Sequence, residues 1–446
     1  GQGGVPLATN LAELGWKVAL VEQGQLGGSC INYGCTPTKT MVSSARIAHY
    51  AKVAPEFGIH PGKVEVNMAE IVARKNEIVE SFRSGIQDQV TNTANLTLYR
   101  GRGRFTGPHE VEVDGKKLSS GKIFINTGTR PRILPIPGLD QVEYLTNRNL
   151  MDLDEVPRHL IALGGNYLGL EFGQMFRRFG SEVTVVELAD QIIPREDGEV
   201  SDSLKEALEG EGMTFRLGAR TTKIAKAPDG VAVTIEKKGG TSETIKGSHL
   251  LVCVGQSPNT DDLGLDKAGI ETDQAGFIKH NGKLETNVPG VWVLGDVKGG
   301  PAFTHVSYDD YLVIYDNLVN GKDRTIDHRM VPYALYTDPE LGRIGLSERE
   351  ARQAGYKLKI GSVPVAYIAR AIERGETNGL MKIVINAETD RILGATILGP
   401  DGGELVQILM ALMMADAPWT LFQNAMFIHP TLAEGFFALM ANVEAA

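Results

Sequence analysis

Cysteine is scarce in this chain: three residues in 446, too few for a secreted disulfide scaffold. No apolar run approaches the ~20 residues that a membrane span needs, so no membrane partner is expected. Positive charge is also in deficit. Lys and Arg number 45 against 55 Asp and Glu, and the net charge of −10 argues against non-specific nucleic-acid binding. There is no low-complexity tract and no block of like charge. What remains is a chain long enough for about three domains. Its 42% hydrophobic content allows sizeable cores, and its 52 glycines suit an α/β protein with many tight turns.

Two of the three cysteines sit five positions apart in Cys30-Ile-Asn-Tyr-Gly-Cys35. Within a regular helix that spacing separates Cα atoms by about 8–9 Å, whereas a disulfide needs about 4.4–6.8 Å. A bridge therefore demands an irregular turn, for which Gly34 supplies backbone freedom. Pro37 then suits the first turn of a helix running through Lys39 and Arg46. Thiolates near that helix N-terminus would have lowered pKa values and be good nucleophiles. The plain alternative is a pair of ordinary buried thiols.

A repeat surrounds this segment. GQGGVPLATNLAELGWKVALVE recurs as NYLGLEFGQMFRRFGSEVTVVE at an offset of 165, so that Gly4 matches Gly169, Gly15 matches Gly180, and Glu22 matches Glu187. In each copy a glycine opens a helix, another closes it, and a short apolar strand ends in an acid. That is the second half of a Rossmann fingerprint, in which the helix N-terminus receives a pyrophosphate and the acid takes the ribose hydroxyls. Two copies in register imply two dinucleotides. Both copies depart from the pattern. The first begins at the middle glycine, and a chain starting there is expected to hold its dinucleotide poorly. The second has Gly164 and Gly169 but Asn166 at the middle position. Asn tolerates left-handed backbone, yet its side chain is expected to crowd a pyrophosphate.

Residues 1–150 alternate strand and helix patterns, with a long helix around 68–95. A strand at 122–126 runs into Thr127-Gly128-Thr129-Arg130-Pro131, read as a sharp turn. Pro135, Pro137 and Gly138 mark a crossing between domains. Residues 151–260 hold the second nucleotide unit and end in the apolar strand Leu250–Gly255, where Cys253 reads as a core residue. Residues 261–330 carry a buried strand ending at Gly295-Asp296. Beyond Pro332, strands at 379–386 and 391–399 alternate with long helices, reading as a separate α+β domain over 331–446.

Five separated motifs carry a resemblance across essentially the whole chain: the two nucleotide units, GGSCINYGCTPTK, TNVPGVWVLGDV and HPTLAEG. The chain resembles the class I flavoprotein, or pyridine nucleotide-, disulfide oxidoreductases, the family of dihydrolipoamide dehydrogenase, glutathione reductase and mercuric reductase. Its GCTPTK and GLEFGQMFRRFGSEVTVVE wording is nearest the mercuric-reductase-like branch. The resemblance implies an α/β fold with two Rossmann-like domains, for FAD (1–150) and NAD(P) (151–260). A central segment (261–330) would complete the FAD site, and a dimerisation domain (331–446) would follow.

It also implies roles. FAD would lie with its pyrophosphate over Gly1, Gly3 and Gly4, its adenosine ribose on Glu22 and its ribityl chain on Asp296. Further cofactor contacts would come from Gly28, Ser29, Thr127, Gly128, Gly295 and Gly255, with Gly164 and Gly169 on the second dinucleotide. Cys35 matches the thiol touching the flavin and Cys30 the outer thiol that exchanges with substrate. Lys39 and Glu171 match an ion pair beside the flavin, and Tyr167 an aromatic that covers the nicotinamide pocket. The helix starting near Thr304-His305 would aim its N-terminal dipole at reduced flavin, with His305 limited to a backbone contact. His429 and Glu434 match an acid–base pair that reaches the Cys pair of a partner subunit in a homodimer. Histidine titrates near neutral pH, and a carboxylate on its second nitrogen fixes its tautomer.

The expected activity passes electrons from NAD(P)H through FAD to a Cys30–Cys35 disulfide and on to a small-molecule or lipoyl-type disulfide. Glu187 favours NADH over NADPH, because a carboxylate there repels a 2′-phosphate. No resident metal is expected. A mercuric-type metal-ion reductase is the runner-up; those enzymes commonly carry Tyr at the place of His429 and hand over metal through C-terminal cysteines that the tail 440–446 lacks. A non-catalytic dimeric nucleotide-binding protein is the third reading. A reducing, cytoplasmic compartment is expected, with the reservation that a leader could precede residue 1.

Overall fold

The computed structural model describes residues 1–446. In the first nucleotide unit the apolar strand Val18–Glu22 pairs in parallel with Leu96–Arg100, and Ile123–Ile125 pairs in parallel with Val291–Val293. The second pairing brings a strand from late in the chain back to this unit. Helices Gly4–Glu13 and Thr304–Val319 pack together there, burying Leu7, Leu11, Tyr311 and Ile314 with Trp292 and Leu294. A three-stranded antiparallel sheet, Gly103–Gly107 with Glu110–Val113 and Lys116–Ser119, flanks it.

The second unit is built on four parallel strands in the order Met213–Arg216, Glu182–Val186, His159–Leu163, His249–Val252. Near-continuous apolar strands such as His159–Leu163 fit a sheet covered on both faces. Helix Tyr167–Phe179 covers one face and buries Phe172 and Phe176 completely, each stabilising by about 1.5–3 kcal/mol. It ends at Gly180, whose φ of +123° suits glycine. An antiparallel sheet formed by Ala219–Ala227, Gly230–Lys237 and Ser242–Gly247 lies on the other side.

One expectation is corrected here. The 127–131 segment is not a turn throughout, because Thr129–Pro131 forms a short strand antiparallel to Gln256–Pro258. Pro131 lacks an N–H, and an edge pairing of three residues tolerates that.

The C-terminal part is a six-stranded antiparallel sheet, ordered Tyr333–Leu335, Glu340–Gly345, Ile392–Gly399, Leu380–Asn386, Leu358–Pro364, Glu444–Ala445. Helix Gly402–Met414 packs on it through Leu405, Val406 and Leu409. The 190–199 segment of the second unit is tied to this sheet by buried charge. Glu196 accepts from Arg343 at 3.1 Å, with side chains 0% and 3% exposed. The Lys382 ammonium sits among the carboxylates of Asp197 (3.0 Å), Glu348 (2.7 Å) and Glu199. A buried lysine needs such partners to stay charged. No helix is long and apolar enough to cross a membrane.

Candidate functional site

The cysteines lie on either side of a break between two helices. Gly28–Tyr33 is a short helix carrying Ser29 and Cys30, Gly34 interrupts it, and Cys35 is the first residue of helix Cys35–Val53. Gly34 adopts φ −128°, ψ −117°, and a Cβ there would stand 3.0 Å from the Ser29 carbonyl oxygen. Close approach, rather than left-handed backbone, is what requires glycine. The short helix is pinned by Asn32, which donates to Leu26 O and Gly28 O at 2.9 Å and accepts from Arg83.

Both sulfurs are free thiols in this structure, and their proton affinities are driven apart. The hydrogen bond from Cys30, the Thr304 hydroxyl at 3.2 Å and the Lys39 charge lower Cys35 to about 6, against the opposing effect of burial. Sharing that bond, burial and the neighbouring negative charge raise Cys30. Thr304, Lys39 and the helix N-terminus all favour the thiolate on Cys35.

One turn on, Lys39 Nζ donates to Glu171 Oε2 at 2.7 Å, and that carboxylate is 3% exposed. Glu171 also accepts from the Tyr336 N–H at 2.9 Å, and the ammonium lies 4.4 Å over the Tyr336 ring. Lys39 stands on helix Cys35–Val53 of the first unit and Glu171 on helix Tyr167–Phe179 of the second, so the pair joins the two units.

The first glycine turn is crowded by its own neighbours. A Cβ on Gly3 would lie 2.5 Å from Ser307 O, one on Gly4 2.9 Å from Asn126 Oδ1, and one on Gly28 2.7 Å from Gly1 Cα. Glu22 ends its strand with Oε1 accepting the Gly24 N–H at 2.8 Å. Asp296 follows Gly295, and burial pushes its carboxyl up against the pull of Lys298. Its carboxylate meets a single side-chain donor, Thr129 at 3.4 Å. A partly buried carboxylate with spare acceptor capacity fits the hydroxyls of a ribityl chain, so these residues fit FAD. Gly128 is left-handed at φ +67°, and Asn259 donates to Thr127 O.

In the second unit the turn is set by Gly164 and Gly169. Gly164 is at φ +113°, and a Cβ on Gly169 would run into the Gly164 carbonyl. Asn166 is not left-handed as the sequence suggested. It is extended (φ −107°, ψ −170°), which any residue adopts. Its Oδ1 folds back to accept the Tyr167 N–H at 3.0 Å as a helix cap. Both Glu187 oxygens are fixed, Oε2 by the Gly165 N–H (2.6 Å) and Oε1 by the Ala189 N–H (2.8 Å). Arg177 and Arg178 are committed elsewhere: both bond Glu211, and Arg178 also pairs with Asp338. Gly255 is at φ +112°. The Cys253 thiol is half-buried, packed against the core rather than within it; desolvation pushes it up to about 12, and it donates to Leu163 O at 2.9 Å.

His429 and Glu434 form a surface pair. Nδ1 lies 3.0 and 2.9 Å from the two carboxylate oxygens, leaving Nε2 outward on a side chain 68% exposed. The partner of His429 within the chain is Glu434, not either cysteine.

Four participants escaped the sequence reading. Asn126 holds the Gly4 N–H through Oδ1 (3.0 Å) and donates to Leu294 O (2.8 Å), stapling the first turn to its neighbouring strand. Its place between an apolar strand and Thr127-Gly128 was the available signal. Thr304 was noted only as a helix start, yet it touches Cys35. Tyr333 and Glu196 carry no motif and meet only in three dimensions.

Comparison with known proteins follows this geometry closely. Residues 1–310 match the family model described as pyridine nucleotide-disulphide oxidoreductase, and residues 331–439 match its dimerisation domain. Dihydrolipoyl dehydrogenase of Thermus scotoductus is 38% identical, covering 100% of this chain and 95% of that protein. Mercuric reductase of Lysinibacillus sphaericus is 34% identical over 90% of this chain and 73% of its own length. The solved HOCl-induced flavoprotein disulfide reductase RclA of Escherichia coli superposes with a TM-score of 0.90 at 33% identity, covering 99% of this chain and 98% of that one.

Proposed function

Because the chain belongs to the pyridine nucleotide-disulphide oxidoreductases, and so is an FAD-dependent enzyme using a nicotinamide dinucleotide, we propose that it reduces a disulfide substrate through Cys30 and Cys35. The observation that carries this reading is the placement of the two thiols on either side of Gly34, with Cys35 against Thr304 and one turn before the Lys39–Glu171 pair. FAD, when bound, relays the electron pair from the reduced nicotinamide to the cysteine pair.

The chain's own groups handle the rest. Cys35, held by Thr304 and Lys39, is the thiol facing the flavin. Cys30 keeps the proton and must lose it to attack a substrate sulfur. His429, oriented by Glu434, takes that proton and returns it to the leaving thiolate. Its exposure fits action on the cysteine pair of a second subunit, in a homodimer built through the C-terminal domain. Attack by Cys30 gives a mixed disulfide, and Cys35 then displaces the substrate sulfur by closing the Cys30–Cys35 bond. Lys39, balanced by Glu171, supplies positive charge beside the flavin.

The fixed Glu187 carboxylate supports NADH as the preferred donor, since it accepts from ribose hydroxyls and repels a 2′-phosphate. Thiols that must cycle through the reduced state suit a reducing compartment, the cytoplasm. A lipoyl-type or other small disulfide is the substrate class. Dihydrolipoyl dehydrogenase among the relatives supports it, and mercuric reductase supports soft-metal reduction as the second reading.

The experiment is anaerobic turnover of NADH-reduced enzyme with lipoamide, small disulfides, Hg²⁺ and Cu²⁺. Wild type should turn over a disulfide faster than either metal, and Cys30→Ser should lose that turnover while NADH still reduces the flavin. Metal reduction with no disulfide activity would replace this reading with the second one. A larger kcat/KM for NADPH than for NADH would reject the donor assignment.

A further inference from the structure

Tyr167 does not stand alone at the second unit's helix start. Its ring lies 5.7 Å from the Tyr333 ring and 6.2 Å from that of Phe303, tilted 59° and 55° respectively. Phe303 and Tyr333 are themselves stacked at 5.6 Å and 12°, and His305 stacks on the far face of Phe303 at 5.3 Å and 9°. Tyr333 is thus the ring that backs both of its neighbours. It belongs to the C-terminal sheet, while Tyr167 belongs to the second nucleotide unit.

Tyr333 is also fixed at its polar end. Its hydroxyl donates to Glu196 Oε1 in a short hydrogen bond, and Glu196 is wholly buried, with Oε2 on Arg343 at 3.1 Å. The segment carrying Glu196 is held as well. Glu196 N–H donates to Ile193 O at 2.9 Å, and Ile193 N–H donates to Gly165 O at 2.9 Å, inside the glycine turn. Ile193 is buried at φ +38°, a conformation that a β-branched residue keeps only where its surroundings impose it. Core packing alone needs no hydroxyl on ring 333 and no buried carboxylate to receive it.

We propose that Tyr333, tethered by Glu196, is a positioning residue for the nicotinamide pocket: it sets the resting place of the Tyr167 ring that an entering nicotinamide must displace. The proposal rests on the reading that the second unit binds a nicotinamide dinucleotide beneath Tyr167. Removing the backing ring leaves Tyr167 one aromatic contact fewer to lose when it moves aside, that of Phe303 remaining, so the dinucleotide should bind more tightly. The adenosine end should not sense the change.

The test is calorimetric titration of the oxidised, FAD-loaded enzyme with NAD⁺ and, separately, with ADP-ribose, which lacks the nicotinamide. Tyr333→Ser should bind NAD⁺ about two- to tenfold more tightly than wild type, the worth of one aromatic pair. Its affinity for ADP-ribose should be unchanged. Tyr333→Phe keeps the ring but loses the tether, and its NAD⁺ affinity should fall between the two; it decides the matter if the Ser variant does not fold. Equal NAD⁺ affinity in the variants and wild type would overturn the proposal. So would weaker NAD⁺ binding, or NAD⁺ and ADP-ribose affinities moving together. A wild type that bound neither ligand would sink the reading of the second unit and the proposal with it.

Discussion

The two nucleotide units share an offset of 165 residues and a terminal glutamate, yet they hold their glycine turns differently. In the first, the helix N-terminus is capped from outside, by Asn126 of a neighbouring strand, and the glycines make room for Ser307 and Asn126. In the second, Asn166 caps its own helix, and the glycine that matters leaves room for the carbonyl of Gly164. Both glutamates accept the N–H two residues on. The acid end of the motif is therefore preserved by local geometry, while the glycine end is free to be met in more than one way. With an extended backbone at Asn166, no left-handed strain attends the missing middle glycine.

On the function proposed, these two turns bind dinucleotides and the C-terminal pair moves protons. The largest effect should come from His429→Ala, which should lower disulfide turnover by about 10²–10⁴-fold while NADH reduction of the flavin stays intact. Equal losses in both half-reactions, measured by stopped-flow, would erase the division. Gly169→Ala comes next. Its new Cβ meets a backbone carbonyl that cannot yield, and strain of about 1–3 kcal/mol should slow flavin reduction by about 10–10²-fold. Gly4→Ala meets the tip of the Asn126 side chain and should weaken FAD retention less than that. The reverse order would mean that the units are not supported as described.

A smaller contrast separates the two asparagines. Asn126→Ala removes two hydrogen bonds between elements and should lower unfolding stability by about 1–2 kcal/mol, whereas Asn166→Ala removes one local cap worth at most about 1 kcal/mol. Denaturant titration of the FAD-loaded protein reads both.

The smallest effect lies at the cysteine pair. In reduced protein the Cys35 thiolate absorbance should titrate at about 6, and Thr304→Val should move the midpoint upward. Its folded value is depressed, so its contribution to the reduced form's stability is whole above the ordinary thiol value of 9.0 and is lost as pH falls through about 6. A midpoint at the ordinary value would remove the asymmetry between Cys30 and Cys35.

Much of this was legible in the chain. The 165-residue offset exposed both units because a helix–strand–acid pattern has a fixed length, and Cys30, Cys35, Lys39, His429 and Glu434 stand within short motifs. Residues that meet only after folding were not legible. Tyr333 and Glu196 are 137 positions apart, and Cys35 and Thr304 are 269 apart. Periodicity and spacing carry no information about such pairs. The Thr129–Pro131 strand escaped for a similar reason, since its partner lies more than a hundred residues on and Pro131 reads locally as a turn residue.

The loop around His429 turns Met426 (99% exposed) and Ile428 (77%) outward, while Phe427 and Leu432 anchor it to the C-terminal core. Lys39, Glu171 and Asn126, by contrast, are cross-tied between elements, and a change in any of them disturbs several contacts at once. In evolutionary terms the molecule is an unchanging power supply with a replaceable outlet. Outward positions such as 426 and 428 tolerate change with little penalty to folding, so a lineage could adjust what accepts the electrons there while His429, Glu434 and the machinery that gathers the electrons stay as they are.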